Sequence, residues 1–452
     1  MKKWILCLLA LSLLSTALPV RANAVVRAAG SPPRFSDVDA ESWYAPYVLA
    51  LSRRGVIRGY DDGSFRPRGT VSWGEALKLV LLTAGFPEQR AGAGAHWAAG
   101  YLDFARAKEY LPKDAAPDLA EPITRIALAE VCASALEMDG KASEAEEAEV
   151  ESPFADTSER SVLALWEAGI VEGSTAADGR QVFDGSDFLT RAEISAILVR
   201  MQDYVDTHFV FVSGSRAAID FSLRFREYDP ESFRAESGRI VCDDETLSRR
   251  LGVDVSYYQG EIDWEAVAAD GVDFAIIRCG YRGYGSAGTL NEDSRFRENI
   301  EGALRAGLDV GVYFFSQAVT VEEAVEEAEY TLELIRDYDV RFPVVFDWEK
   351  LSSAGSRSRS PDWETVSDCA VAFCEAVAAA GYTPMAYYNK YMSYIELNMR
   401  KIQQYDGWLA MYQNAMDYIY DFQMWQFTSD GAVDGIDGRV DLNLCLADYA
   451  AE

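Results

Sequence analysis

The sequence predicts an α/β protein: a mainly helical N-terminal half followed by a barrel of alternating strands and helices. Three observations predict it. Before residue 201, an F-x-D opening, an amphipathic helix, a glycine-ended turn and a second helix recur twice clearly and once more weakly. From residue 251 onward, short apolar extended runs alternate with helical stretches. Within that half the run 342–349, FPVVFDWE, ends an apolar segment in two acids. Side chains alternate along a strand, so Asp347 and Glu349 point the same way, about 6.5–7 Å apart at Cα. Two carboxylates at the mouth of a strand buried on both faces are costly unless they are paired or take part in chemistry.

The 452 residues exceed one ordinary domain. Hydrophobic content of 49% against 25% charged residues allows an ample core. The formal net charge of −31 excludes nucleic acid and anionic lipid as partners. Residues 1–24 read as a secretory signal peptide, with Lys2 and Lys3 before an apolar stretch and Ala22-Asn23-Ala24 as a small-x-small cleavage site. No later segment reaches the ~20 apolar residues of a membrane helix, so no membrane span is expected. Six cysteines follow residue 24 without any C-x-x-C pair. That spacing argues against zinc. Disulfides remain open, with buried free thiols the preferred reading. The two histidines, His96 and His208, both precede residue 250. The C-terminal half therefore lacks an imidazole for a Ser-His or Cys-His pair, and no cofactor or metal is expected.

In order along the chain, residues 25–201 read as three repeats at about 31–86, 92–138 and 152–201. Asp61-Asp62-Gly63 is turn chemistry. Thr190 with Glu193 reads as a helix N-cap and its capping-box partner. The acidic run 141–151 reads as a solvated linker, and residues 202–250 as a connector with strand character at 209–212. Trp43-Tyr44, the G-x-F-x-P at Gly63–Pro67, Ile123–Arg125 and the L-T-R-A-E at Leu189–Glu193 make this region resemble S-layer homology repeats. The resemblance implies attachment to the cell wall through an anionic secondary cell-wall polysaccharide. It assigns Arg125 and Arg191 to that polymer, with Trp43 as an aromatic contact. An arginine fork suits a carboxylate. Repeat one departs, with Trp73 in the arginine's place.

In the C-terminal half, 251–452, strands are expected at 251–255, 274–278, 310–315, 344–347, 385–388, 408–411, 422–426 and 440–444. A capping box at Thr320 and Glu323 opens one helix, with Val325, Ala328, Leu332 and Ile335 as its apolar face. Pro361 opens another and Gly381 closes it. After residue 388 the gaps shorten, so late helices are expected to be missing. About eight strands alternating with helices give an irregular TIM-like (β/α) barrel. Polar residues sit at its strand ends: Asp254, Arg278, Tyr281, Ser316, Gln317, Asp347, Glu349, Tyr388, Asn389, Tyr412, Gln426, Asp441 and Asn443. A barrel brings such ends to one face. Four acids among aromatic rings are the equipment of a carbohydrate-cleaving site.

The stretches GVDVSYYQGEIDW (252–264), FAIIRCGYRGYG (274–285), AGLDVGVYFFSQA (306–318), FPVVFDWE (342–349), GYTPMAYYN (381–389), WQFTSDG (425–431) and GIDGRVDLN (435–443) resemble, in order, the glycoside hydrolase family 25 lysozymes. That resemblance implies an irregular β/α barrel hydrolysing the β-1,4 bond between N-acetylmuramic acid and N-acetylglucosamine in peptidoglycan. Glu349 is then the general acid. Asp347 orients the substrate N-acetyl group or stabilises the cationic intermediate. Asp254 and Asp441 shape the field and position substrate or water. Tyr281, Tyr313, Tyr388, Tyr412, Trp425 and Gln426 are the implied substrate contacts. The family is held to retain configuration, with the substrate's acetamido group as nucleophile. The polar loop 351–360 is expected to be mobile, with Arg357 and Arg359 able to meet anionic wall polymer. The competing reading is a non-enzymatic glycan-binding wall protein, which has no need of the Asp347–Glu349 pair.

Overall fold

The computed structural model describes residues 35–138, 152–353 and 355–449. The expected signal peptide and the acidic run 141–151 lie outside the described residues. The chain divides into two compact units, Met1–Val210 and Phe211–Glu452.

The first unit is helical: α1 (Ala45–Arg53), α2 (Trp73–Thr83), α3 (Ala99–Ala107), α4 (Arg125–Ala135), α5 (Arg160–Glu167) and α6 (Arg191–His208). Their apolar stripes meet in one core that includes Val48, Leu51, Leu77, Val80, Leu128, Val131, Leu165 and Leu198. The F-x-D openings have a physical role. Asp37 accepts the backbone N–H groups of Phe65 (2.7 Å) and Arg66 (2.8 Å). Asp156 does the same for Phe183 and Asp184, both at 2.8 Å. Each acid thus clamps the extended segment that follows the glycine turn. Gly59 and Gly173 are required there, because a Cβ on either would strike the ring of Phe35 or Phe154.

Three helices start alike. Ser72 with Glu75 and Thr190 with Glu193 form complete capping boxes on α2 and α6, and Thr124 caps α4. These starts touch one another through the bridges Thr70–Thr190, Ser72–Pro122 and Thr124–Phe188. Each cap segment therefore satisfies backbone groups of the next.

The second unit is built on nine strands: β1 (Arg250–Val255), β2 (Phe274–Arg282), β3 (Leu290–Glu292), β4 (Asp309–Ser316), β5 (Val344–Trp348), β6 (Pro384–Asn389), β7 (Asp406–Ala410), β8 (Met424–Gly431) and β9 (Val440–Cys445). Eight close into a barrel in the order β1-β2-β4-β5-β6-β7-β8-β9, and β9 returns to β1. β9 runs antiparallel to both neighbours, whereas the other ring pairings are parallel. β3 is an antiparallel flap on β2, outside the ring.

The connections from β1 to β6 carry α7 (Trp264–Ala269), α8 (Phe296–Arg305), α9 (Val321–Ile335) and α10 (Trp363–Ala379). β6 and β7 are joined by a π turn and the four-residue α11 (Met399–Ile402), and no helix separates β7, β8 and β9. The barrel floor is filled by Phe274, Ile276, Phe342, Val345, Met385, Trp408, Met424 and Cys445. Gly252 leaves room for the Phe274 ring.

Local expectations needed adjustment. α10 begins at Trp363 under an Asp362 cap, so Pro361 lies before the helix. Thr320 caps α9, but Glu323 reaches the N–H of Val319 rather than closing the box. Val325 and Leu332 are only half-buried, and the buried face of α9 includes Glu327 and Thr331. Residues 202–208 complete α6, and residues 211–250 belong to the barrel's own unit. There the ribbon of Phe233–Glu236 and Arg239–Cys242 and the Phe225–Tyr420 bridge tie them down. The six cysteines after residue 24 are all buried and unpaired.

Candidate active site

The strand period sorts the barrel mouth. Asp254 on β1 stands opposite Asp441 on β9 in the antiparallel register, and Asp347 on β5 is level with Tyr387 on β6. Glu349 follows one residue beyond the end of β5. Asp254 and Asp347 are each 6% exposed. Asp254 Oδ2 accepts from Gln426 Nε2 (2.9 Å) and Asn443 Nδ2 (2.8 Å), and the Trp408 indole N–H fixes Asn443 at 2.8 Å. Gln426 Oε1 accepts from the hydroxyls of Tyr387 (3.1 Å) and Tyr412 (2.9 Å). Asp347 Oδ1 is buried without a hydrogen-bond partner.

The electrostatics follow from burial and from like charges. Burial pushes the Asp347 carboxyl well above the usual range; Glu349, Asp254 and Asp441 push it further, and the Arg278 guanidinium opposes them. Burial and then Asp441 raise Asp254, against its two amide hydrogen bonds. Asp441 is pushed up to about 6 by burial and by Glu349. Glu349 is raised by burial and held back by a hydrogen bond with Tyr387. A Tyr387 hydroxyl has one proton to give, and Gln426 Oε1 competes for it. Arg278 is bound by Asp293 through Nε at 2.7 Å, beneath the rings of Tyr257, Tyr258 and Tyr281.

The structure brings Asp254, Asp347, Glu349 and Asp441 to one mouth, with Tyr313 inside, Gln426 in the network, Tyr412 exposed at the rim and Tyr281 over Arg278. Two expected contacts fall elsewhere. Tyr388 and Trp425 face the layer outside the barrel. Tyr388 is buried beside Tyr418 and over Gly407, and Trp425 packs on Phe233 and donates to the Met411 carbonyl. The cause is parity, since Tyr387 and Gln426 already face inward and their chain neighbours must face out. Tyr387 is the residue missed, and its even spacing from Met385, an interior residue, could have found it.

The described residues of the loop, 351–353 and 355–360, are held rather than free. Arg357 donates to Glu323 and, through its backbone N–H, to the Tyr284 carbonyl at 3.0 Å, while Ser358 is fully buried. Arg357 is thus unavailable to a polymer; Arg359 is exposed. In the first unit, Arg191 donates to the Phe65 carbonyl and to Glu75, both at 2.8 Å, and packs over Tyr60 and Phe65. Arg125 donates to the Phe183 carbonyl at 2.8 Å and approaches Glu193 at 4.0 Å. Trp43 is 59% exposed, edge-on to Tyr44 and Tyr47.

The family model "Glycosyl hydrolases family 25" matches residues 253–436, and the S-layer homology domain matches residues 34–77. Uncharacterized protein YegX of Escherichia coli K12 is 29% identical over 204 residues, 43% of this chain and 68% of that protein. Lysozyme M1 of Streptomyces globisporus is 34% identical over 79 residues, 18% of this chain and 24% of that enzyme. The solved structure of the modular autolysin LytC from Streptococcus pneumoniae with a synthetic peptidoglycan ligand shares 25% identity at a TM-score of 0.41. That match covers 53% of this chain and 58% of LytC, so the chain spans less than two thirds of that neighbour. Residues 253–436 are thus a family 25 glycosyl hydrolase domain, and residues 34–77 an S-layer homology domain.

Proposed function

We propose that the protein is a wall-anchored muramidase that cleaves the β-1,4 bond between N-acetylmuramic acid and N-acetylglucosamine in peptidoglycan and acts in wall remodelling. The observation that carries this reading is the convergence of four carboxylates in one aromatic-lined mouth, where burial raises the proton affinity of all four and Glu349 raises that of the other three. Glu349, raised yet held by Tyr387, serves as the general acid. Its proton passes to the glycosidic oxygen as the C1–O bond breaks. The substrate's own acetamido oxygen closes on C1 from the opposite face, and water then reopens that ring, returning a proton to the Glu349 carboxylate. Asp347, whose Oδ1 has no protein partner, is the group that aligns the acetamido N–H. Asp254 and Asp441 supply the surrounding negative field. The S-layer homology half attaches the protein to the cell surface through an anionic secondary wall polysaccharide. Three repeats at about 31–86, 92–138 and 152–201 supply that attachment, and tethering raises the local substrate concentration without tight binding by the barrel.

The test uses purified peptidoglycan, borohydride reduction and mass spectrometry of the soluble fragments, with a Glu349→Gln variant in parallel. Reduced muramic acid ends from the wild type and none from the variant are expected. Reduced glucosamine ends would move the cut to the other linkage, and no fragments at all would leave a glycan-binding protein.

A further inference from the structure

The geometry points to Gln317 as a positioning residue for the general acid, a role that rests on the muramidase reading above. The ladder between β4 and β5 ends at the pair Ser316–Trp348, so Glu349 lies just past the last strand pairing. The Gln317 amide reaches across that end. Its Nε2 donates to the carbonyl of Glu349 at 3.0 Å and to the carbonyl of Ser316 at 2.8 Å. Its Oε1 accepts from Ser358 Oγ at 2.6 Å. Both amide protons and the amide oxygen are therefore engaged within the protein, and Gln317 is wholly buried. The side chain contributes nothing to substrate directly; it fixes the backbone from which Glu349 projects.

The tie extends in both directions. Ser358 Oγ also accepts the N–H of Leu351 at 3.2 Å, two residues beyond the acid. The Trp348 indole N–H, one residue before the acid, donates to the carbonyl of Ala318 at 2.9 Å. The residues flanking Glu349 are thus bound to the end of β4 and to the loop 351–360. That explains why a sequence of serine, glycine and arginine is held down after the catalytic strand. An error of about 1 Å at a proton donor costs on the order of a hundredfold in rate.

Wild type, Gln317→Met and Gln317→Glu would be compared on soluble, uncrosslinked peptidoglycan glycan strands, with kcat, KM and the unfolding midpoint measured for each. Methionine keeps the volume and removes every hydrogen bond. Glutamate keeps the acceptor for Ser358 but, when ionised, has no proton for the Glu349 carbonyl. The expected result is a kcat lowered at least tenfold in both folded variants with KM within twofold, and recovery by Gln317→Glu at acid pH, where its carboxyl regains a donor. A kcat within twofold of wild type in either folded variant overturns the inference, as does a loss confined to KM or to the unfolding midpoint. If wild type itself releases no fragments, the muramidase reading fails and the inference with it. Turnover by wild type matched by the variants overturns the inference alone.

Discussion

The arginines of the helical unit and the carboxylates of the barrel mouth are buried to similar degrees and treated in opposite ways. Arg191 and Arg125 meet backbone carbonyls and acids within their own unit. In the barrel mouth four acids face one another, and Arg278, the cation that opposes Asp347, is already bound by Asp293. A paired buried charge holds a fold together, whereas like charges packed without counterions destabilise it and persist where chemistry needs them. The same barrel shows that the arrangement is local. Behind the mouth, Arg282 pairs with the buried Glu327 at 2.6 Å.

The largest effect that would sharpen this contrast is on catalysis. Glu349→Gln removes the transferable proton and keeps the shape, so kcat should fall about a thousandfold with folding intact. An unchanged kcat on peptidoglycan would break the distinction at its centre. Next is the structural side. Arg191→Ala leaves the Phe65 carbonyl and Glu75 without their partner and should cost about 2 kcal/mol in denaturant unfolding. Wall binding lost with stability unchanged would instead make Arg191 a ligand for the polymer rather than a staple.

A third comparison separates two adjacent tyrosines. Tyr387→Phe removes the hydroxyl shared between Glu349 and Gln426, and kcat should fall about tenfold, the value of one hydrogen bond. Tyr388→Phe alters the layer outside the barrel and should leave kcat within about twofold. Equal effects would mean that the mouth is not organised by strand parity.

These tyrosines also show where the sequence was legible. Eight strands were readable because each is an apolar run between turn signals, and all eight formed. Asp254, Asp347 and Glu349 were readable because they end those runs, and Asp441 because it opens the last one, the antiparallel β9. The facing of a residue was not, where two candidates were adjacent: Tyr387-Tyr388 and Trp425-Gln426 each offer one inward side chain, and only the register with the neighbouring strand decides which. Burial of Glu327 on α9 was invisible because its partner Arg282 lies 45 positions earlier, on β2. The loop 351–360 read as mobile because its anchors, Gln317, Glu323 and the Tyr284 carbonyl, come from other segments.

The smallest effect tests whether the acids oppose the fold as the contrast requires. Asp441 is raised to about 6 by burial and by Glu349, from 3.8 when unfolded. A raised carboxyl means that the native state holds its proton more tightly than the unfolded chain. Between pH 3.8 and about 6 the native state therefore binds more protons, and stability falls as pH rises through that window. Above it the ionised Asp441 weighs against folding. Asp441→Asn should accordingly stabilise the protein at pH 7 by roughly 1 kcal/mol, after allowance for partial exposure, and by nothing below about pH 4. Urea unfolding of both forms at the two pH values measures the difference. A variant less stable at pH 7 would mean that Asp441 is a structural partner in the β1–β9 ladder, and that the barrel mouth is stabilised by its acids as the helical unit is by its arginines.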